Sequence, residues 1–340
     1  MVYQKNIVDE VSGWLTVFDD GSVDRTWRGP PQVKFMAEPV PPHDVFIDGV
    51  AVRDVVDDVY PELRVRIYLP ETRGDRNDKL PVVLHFHGGG FCISQADWFM
   101  YYHFYTRLAR EADAIFVSVY LPLAPEHRLP AAADRGFSAL LWLRDLADQL
   151  SNSPDQWLNT YADFSRVFLI GDSSGGNLVH EVAARAGDVD LGRVRLAGAI
   201  PIHPGFVRSQ RSKSELEQPE SPFLTLDMVD KFLKLGLPVG TTKDHPLTCP
   251  MGAAAPPLAG LKLPPMMFCV AENDLIKDTE MEYYEALKKA NKDVELFISS
   301  GMGHSFYLNK LAVDMDPKTG TETGKLIAAV AEFIGRRAHY

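Results

Sequence analysis

Six short apolar runs, at residues 81–86, 114–119, 167–170, 196–200, 266–270 and 294–298, alternate along the chain with stretches of helical spacing. Short, predominantly apolar runs of this kind read as strands covered on both faces. Their alternation with helices predicts a mainly parallel sheet flanked by helices on both sides. Ahead of them, Leu63, Val65, Ile67 and Leu69 alternate with polar neighbours, the pattern of a half-buried strand. Phe137, Leu140 and Leu141 keep helical spacing after Pro130. Leu326, Ile327, Val330, Phe333 and Ile334 form one apolar stripe within residues 324–337, which predicts a terminal helix docked on the sheet.

Two regions break this rhythm. Residues 1–45 are mixed: Trp14-Leu15-Thr16-Val17-Phe18, a turn at Asp19-Asp20-Gly21, and a proline-rich run ending at Pro41-Pro42. They read as an arm with some helix that packs over the rest. Residues 203–265 hold no strand-like run. They carry Arg208, Arg211, Lys213, Glu215, Glu217 and Glu220, then a helix-like patch at 224–237. An insertion there, between two strands, is expected to form a cap over the active site together with the arm. Phe223, Met228, Phe232 and Leu235 are then candidates either for lining a substrate pocket or for packing the cap itself. Residues 73–79 make a charged turn, and no internal repeat occurs. The expectation is a single domain over 1–340.

Two motifs carry chemistry. Gly171-Asp172-Ser173-Ser174-Gly175 follows the run 167–170 and has the form of a nucleophile elbow, a tight strand-to-helix turn that presents a serine hydroxyl. His87-Gly88-Gly89-Gly90 follows the run 81–86 and has the form of a loop whose backbone N–H groups face a developing oxyanion. A serine needs a base to take its proton, and the base needs an orienting partner. Downstream of Ser173 come Glu272, Asp274 and Asp278, after the run 266–270. His304 follows in a glycine-bracketed loop after the run 294–298. Asp274 lies in the loop directly after its strand, where an orienting carboxylate belongs. Asp278 is second choice, with helix capping as its alternative role. His85 and His87 read as props of the glycine loop, and His127 and His180 as structural. His43, His103, His203, His245 and His339 show no strand-end context. The expected oxyanion donors are two N–H groups from Gly88, Gly89 and Gly90, with that of Ser174. The spacing of aspartates and histidines suggests no metal site, no phosphate loop follows Gly175-Gly176, and no cofactor is expected.

Composition narrows the partners. Lys plus Arg total 35 against 46 Asp plus Glu, a net charge of −11, which disfavours nucleic acid. Cys92, Cys249 and Cys269 are far apart, with no metal or redox spacing, and suit a reducing compartment. No apolar stretch is long enough for a bilayer and none opens the chain as a leader. A cytoplasmic protein is expected, a monomer or weak homodimer acting on a small molecule.

In combination these segments resemble a known group. His87-Gly88-Gly89-Gly90-Phe91, Leu123-Ala124-Pro125-Glu126-His127-Arg128-Leu129-Pro130, Gly171-Asp172-Ser173-Ser174-Gly175-Gly176-Asn177 and Gly303-His304 are similar to the hormone-sensitive-lipase-like branch of α/β hydrolases. The stretch from Val17 to Arg25 and Arg211-Ser212-Lys213-Ser214-Glu215 are similar to its plant carboxylesterases. The resemblance implies an α/β-hydrolase fold with a helical cap and hydrolysis of small to medium carboxylic esters. It also implies Ser173 as nucleophile, His304 as base and Asp274 as its orienting acid. Gibberellin receptors, isoflavanone dehydratases and some alkaloid cyclases share the resemblance, so a lyase or cyclase and a non-catalytic receptor remain alternatives. The retained serine, histidine and glycine loop favour hydrolysis. Pro122 departs from the pattern, which has arginine before Leu-Ala-Pro-Glu, and this implies altered bracing of that segment.

Overall fold

A computed structural model describes residues 5–71, 79–148, 156–221 and 223–337. Most of the charged turn at 73–79, together with His339, lies outside the described residues. The chain order is β1 (Ile7–Val11), β2 (Leu15–Phe18), β3 (Val23–Asp24), a 3-10 turn (Pro31–Ala37), β4 (His43–Ile47), β5 (Val50–Val56), β6 (Arg64–Pro70) and β7 (Leu80–Phe86). Then come α1 (Phe99–Ala112), β8 (Ile115–Val119), α2 (Ala131–Ala147), α3 (Gln156–Tyr161), β9 (Ala162–Asp172), α4 (Ser174–Ala186) and β10 (Leu196–Ile202). The remainder is α5 (Lys213–Glu217), α6 (Leu226–Gly236), β11 (Met266–Ala271), α7 (Lys277–Lys289), β12 (Val294–Ser299), α8 (Lys310–Met315) and α9 (Pro317–Arg337).

All six apolar runs are strands of one sheet with the order β12-β11-β10-β9-β7-β8-β6-β5-β4. From β12 to β8 the pairings are parallel, and from β8 to β4 they are antiparallel. Alternation along each strand splits the core in two. Val82, Leu84 and Phe86 of β7 and Phe268 and Val270 of β11 pack with α2, α4 and α7. Val83, Met267 and Cys269, at the alternate positions of the same strands, pack with α1 and α9 on the other face. The stripe Leu326, Ile327, Val330, Phe333, Ile334 is buried as expected, on a helix that begins at Pro317.

Three expectations change. The alternation at Leu63–Leu69 implied a strand wet on one face, but β6 is buried on both. Its polar position Arg66 is only 1% exposed, and its Nε and Nη2 each donate to the Asp54 carboxylate, which pairs the charge as the sheet is covered. At the opposite edge, β12 is only partly buried because it has one neighbour. The arm, expected to carry some helix, is mainly a three-stranded antiparallel ribbon, β1-β2-β3, followed by the 3-10 turn. Alternating Val11, Leu15 and Val17 close a third, smaller apolar cluster with Met228, Phe232 and Leu235 of α6. The arm and the 203–265 insertion thus supply a β ribbon and the short helices α5 and α6.

The segment after Pro122 is braced from the arm. Arg25 Nε donates to Cys92 O at 2.7 Å, its Nη2 to Ala124 O at 2.8 Å, and its guanidinium pairs with the Glu126 carboxylate. One planar fork thus joins ribbon, glycine loop and the Ala124–Glu126 turn. Arg25→Met should cost about 1–3 kcal/mol, because two carbonyls and a carboxylate lose their donor. The expected readout is a lower urea midpoint, with partial recovery in Arg25→Lys. An unchanged midpoint in Arg25→Met would rule out this brace.

Candidate active site

The parallel strands end in a row, and the loops beyond them carry the chemistry. At the end of β9 the backbone turns through Ser173 with φ 51° and ψ −123°, outside the regions an L side chain prefers. Neighbouring loops hold it there. Ser173 N–H donates to Ile202 O at 3.0 Å, and Gly205 N–H donates to Ser173 O at 2.9 Å. Only glycine fits at 175, since a Cβ there would lie 2.0 Å from Phe86 O. The elbow is therefore wedged against the end of β7, beside the glycine loop.

His304 lies in the loop after β12. Its Nδ1–H donates to Asp274 Oδ2 at 2.7 Å, and both side chains are buried, at 3% and 0% exposure. Nε2 of His304 has no partner among the described residues. With the proton held at Nδ1 by the carboxylate, Nε2 presents a lone pair. His304 and Ser173 line the same cavity with Gly89, Gly90, Asp172 and Ser174. Asp274 Oδ1 also accepts from Ile276 N–H at 3.1 Å. Burial pushes the Asp274 carboxyl up, but the facing His304 and His203 imidazoles and the Ile276 N–H outweigh it and hold the carboxyl below its ordinary value.

The other acids have separate tasks. Glu272 is exposed and accepts from Gly301 N–H at 2.6 Å and Ser300 Oγ–H at 2.9 Å. Asn273 N–H donates to Met302 O at 2.8 Å. Residues 272, 273 and 274 thus staple their loop to successive points of the His304 loop. Asp278 accepts from Ser214 N–H at 2.8 Å, and its own N–H donates to Ser214 Oγ at 3.1 Å, tying α7 to α5. It does cap a helix, though the helix is α5 rather than its own.

Gly89, Gly90 and Ser174 line the cavity, whereas Gly88 does not. Gly88 N–H donates to Asp172 Oδ1 at 3.2 Å, so the candidate donor set narrows to Gly89, Gly90 and Ser174. Gly90 has φ 59°, and a Cβ there would sit 2.3 Å from the Phe232 ring of α6. His87 Nδ1 donates to Gly88 O at 2.9 Å, and Phe91 N–H donates to Ser174 Oγ at 3.2 Å, fixing the loop to the elbow. His85 pairs with Ser118, and His180 Nδ1 with the Tyr283 hydroxyl at 2.7 Å. Phe223, Met228 and Phe232 line the cavity, while Leu235 packs under the arm ribbon.

Sequence reasoning missed His203. It does have strand-end context, because β10 runs on through Pro201 and Ile202, two residues past the apolar run 196–200. Ser305 N–H donates to its Nδ1 at 3.0 Å, so His203 supports the residue after His304. The expectation that aspartates and histidines do not cluster is also overturned. His203, Asp274 and His304 bring donor atoms within 4.8 Å of one another, from three loops distant in sequence. Nδ1 of each histidine is engaged in a hydrogen bond, so the trio is a hydrogen-bonded support for the His304 ring.

The chain matches the family model of the alpha/beta hydrolase fold over residues 83–308. It is 34% identical over 306 residues to a protein named "probable carboxylesterase 6" of Arabidopsis thaliana, covering 89% of this chain and 85% of that one. It is 35% identical over 340 residues to the 2-hydroxyisoflavanone dehydratase of Glycyrrhiza echinata, covering 97% of each. Tuliposide A-converting enzyme 1 of Tulipa gesneriana, described as chloroplastic, is 34% identical over 324 residues, covering 95% of this chain and 77% of that one. Among solved structures, the esterase of Pyrobaculum calidifontis superposes with a TM-score of 0.67 at 26% identity, over 91% of this chain and 89% of that one.

Buried neutral histidines make stability depend on pH. Burial lowers His87 and His180 from their ordinary 6.5 to about 4, and His203 to about 3. Below 6.5 the unfolded chain takes up protons that the folded chain refuses. Their stabilisation is therefore complete above that pH and is lost as pH falls toward the folded values, by up to about 1.4 kcal/mol per histidine per pH unit. Asp274, also held low, adds its loss only below its ordinary 3.8. Urea midpoints should fall steadily from pH 7 to pH 5. A flat profile over that span would contradict the burial of these imidazoles.

With family model, relatives and sheet order in agreement, the chain belongs to the α/β-hydrolase fold family, in the hormone-sensitive-lipase-like branch that holds the plant carboxylesterases.

Proposed function

We propose that the protein is a serine carboxylesterase that cleaves small to medium carboxylic esters through an acyl-enzyme on Ser173. The chain is a carboxylic ester hydrolase by kinship with carboxylesterases and esterases along nearly its whole length. The single observation that carries the mechanism is the His304–Asp274 pair at 2.7 Å, with an unpartnered His304 Nε2 on the cavity that Ser173 also lines.

Ser173 Oγ attacks the ester carbonyl carbon while His304 Nε2 takes the hydroxyl proton. The buried Asp274 carboxylate stabilises the imidazolium so formed. The carbonyl oxygen becomes an oxyanion and receives N–H groups from Gly89, Gly90 and Ser174. Collapse expels the alcohol, which leaves with the proton from His304. Water then attacks the acyl-enzyme, again giving its proton to His304, and the carboxylic acid departs as Ser173 regains its hydrogen.

A second reading, proton-transfer chemistry in the same cavity without an acyl-enzyme, is favoured by the 35% identity to a dehydratase over 97% of both chains. The two differ in one product: the hydrolase gives a burst of alcohol and a covalent acyl group on Ser173. The cytoplasmic reading rests on the three buried free thiols, of which burial pushes Cys92 up to about 12. Among the described residues no helix is long and apolar enough to cross a membrane.

Ser173→Ala should lower kcat by roughly 10³-fold or more, and a fluorophosphonate should label Ser173 alone in the wild type. Near-normal turnover by Ser173→Ala would sink the acyl-enzyme. Asp274→Asn keeps the shape but favours the wrong tautomer of His304, at a cost of about 10³- to 10⁴-fold in kcat. Asp278→Asn loses its charge toward α5, costs on the order of 1 kcal/mol of stability and keeps its activity. An inactive Asp278→Asn beside an active Asp274→Asn would move the acid.

A further inference from the structure

We propose that a second cavity, beneath the N-terminal arm, holds one half of the substrate, and that this half is an uncharged aromatic or fused-ring group. The assignment of a reacting half rests on the esterase reading; the binding site itself does not.

Space is distributed unevenly. The cavity at Ser173 and His304 measures about 80 Å³, whereas the cavity under the arm measures about 400 Å³. An apolar cavity of roughly 150 Å³ admits one benzene ring, so the arm cavity has room for two or more rings. The two cavities share Trp14, Met100, Phe223 and Met228 in their linings, so they adjoin. Methionine is unbranched and adapts to the shape beside it, so Met100 and Met228 can repack around a molecule that reaches from one space to the other.

Chemistry narrows the occupant. Among the described residues no Lys, Arg, Asp or Glu lines the arm cavity. Trp14 and Trp27 meet edge to face at 4.4 Å, and their faces offer ring contacts. Most of the polar lining is already engaged. Ser221 Oγ accepts from Leu224 N–H, Thr225 Oγ1 from Met228 N–H, and Asn309 Oδ1 from Ala312 N–H. A charged occupant would lose its water without gaining a counter-charge, which is the costly kind of burial. A neutral ring system loses only apolar hydration, and a polar substituent on it can still receive hydroxyl O–H donors from Ser12, Ser221 or Thr225. The charges of the arm are used elsewhere: Arg25, Lys34 and Glu38 line a separate hollow that borders Trp14 and Trp27.

The test fills the cavity from the arm. Val33 and Ala37 line it, lie on the 3-10 turn and touch neither Ser173 nor His304. Val33→Trp and Ala37→Phe are measured against ethyl acetate and against two naphthyl esters, 2-naphthyl acetate and methyl 3-(2-naphthyl)propanoate, which carry the ring system on the alcohol and acyl side. Binding of 2-acetylnaphthalene, a neutral ketone, is followed by tryptophan fluorescence on the Ser173→Ala protein with and without the filling substitutions. The expected result is a tenfold or greater loss of kcat/KM for at least one naphthyl ester, with ethyl acetate within twofold of wild type. Ketone binding should weaken by a similar factor, and the 2-naphthoate anion should bind at least tenfold more weakly than the ketone. Naphthyl turnover and ketone binding unchanged in both filled variants would overturn the proposal. So would an equal loss for ethyl acetate in folded variants, or anion binding as tight as that of the ketone. If the wild type turned over no ester at all, the esterase reading would fail, while the ketone titration would still decide the cavity.

Discussion

Parallel register is the constraint on which the site depends. Phe86 pairs with Gly171, Ile202 with Asp172 and with Cys269, and Ala271 with Ser299, so β7, β9, β10, β11 and β12 end along one edge. Each chain that leaves this edge brings a different group: the glycine loop, Ser173, His203, Asp274 and His304. A slip of one residue in any pairing would turn that strand's apolar set to the wrong face and withdraw its loop from the row. The two cores enforce the register, because Val83 and its neighbours Val82 and Leu84 belong to opposite clusters. Packing remote from the chemistry thus sets where the chemistry can occur.

Loops by themselves do not hold an imidazole to within hydrogen-bonding tolerance of a carboxylate. Here three consecutive residues, Glu272, Asn273 and Asp274, bind Ser300 and Gly301, Met302, and His304 in turn. The other side is held by His203 through Ser305. The serine side has the same character: Asp172 takes the Gly88 N–H, Ser174 takes the Phe91 N–H, and Gly175 closes on Phe86 O. Both halves are positioned by groups adjacent in sequence to the reacting residues, which accounts for their appearing as short dense motifs.

That density is why so much of the site is legible in the sequence. Gly-Asp-Ser-Ser-Gly and His-Gly-Gly-Gly must be written contiguously, because their turns leave room for little else. The long apolar strands are equally plain. What the sequence hid depends on contacts between distant segments. The burial of Arg66 is decided by Asp54 on the neighbouring strand. The arm forms a ribbon because its apolar residues find α6, more than two hundred positions away. His203 looked isolated because Pro201 obscured the last turn of its strand, and its partner is Ser305. The Gly88 N–H is taken by Asp172 rather than facing the cavity, a single contact that no spacing rule contains.

The same logic explains why one buried carboxylate near His304 is charged and another is not. Asp274 and Glu280 are both fully buried, Asp274 in the loop before α7 and Glu280 in its first turn. Asp274 receives Ile276 N–H and His304 Nδ1–H, and its carboxyl is held low. Neither oxygen of Glu280 has a hydrogen-bond partner among the described residues; burial first, and then the Asp274 charge, push its carboxyl well above the usual range. Two unshielded negative charges in one dry site would oppose each other, so the unpartnered one keeps its proton. His304 therefore faces a single full negative charge, fixed in direction by the Ile276 N–H. Under the proposed mechanism that field favours the imidazolium formed as His304 takes the Ser173 proton, while the neighbouring acid stays electrically silent.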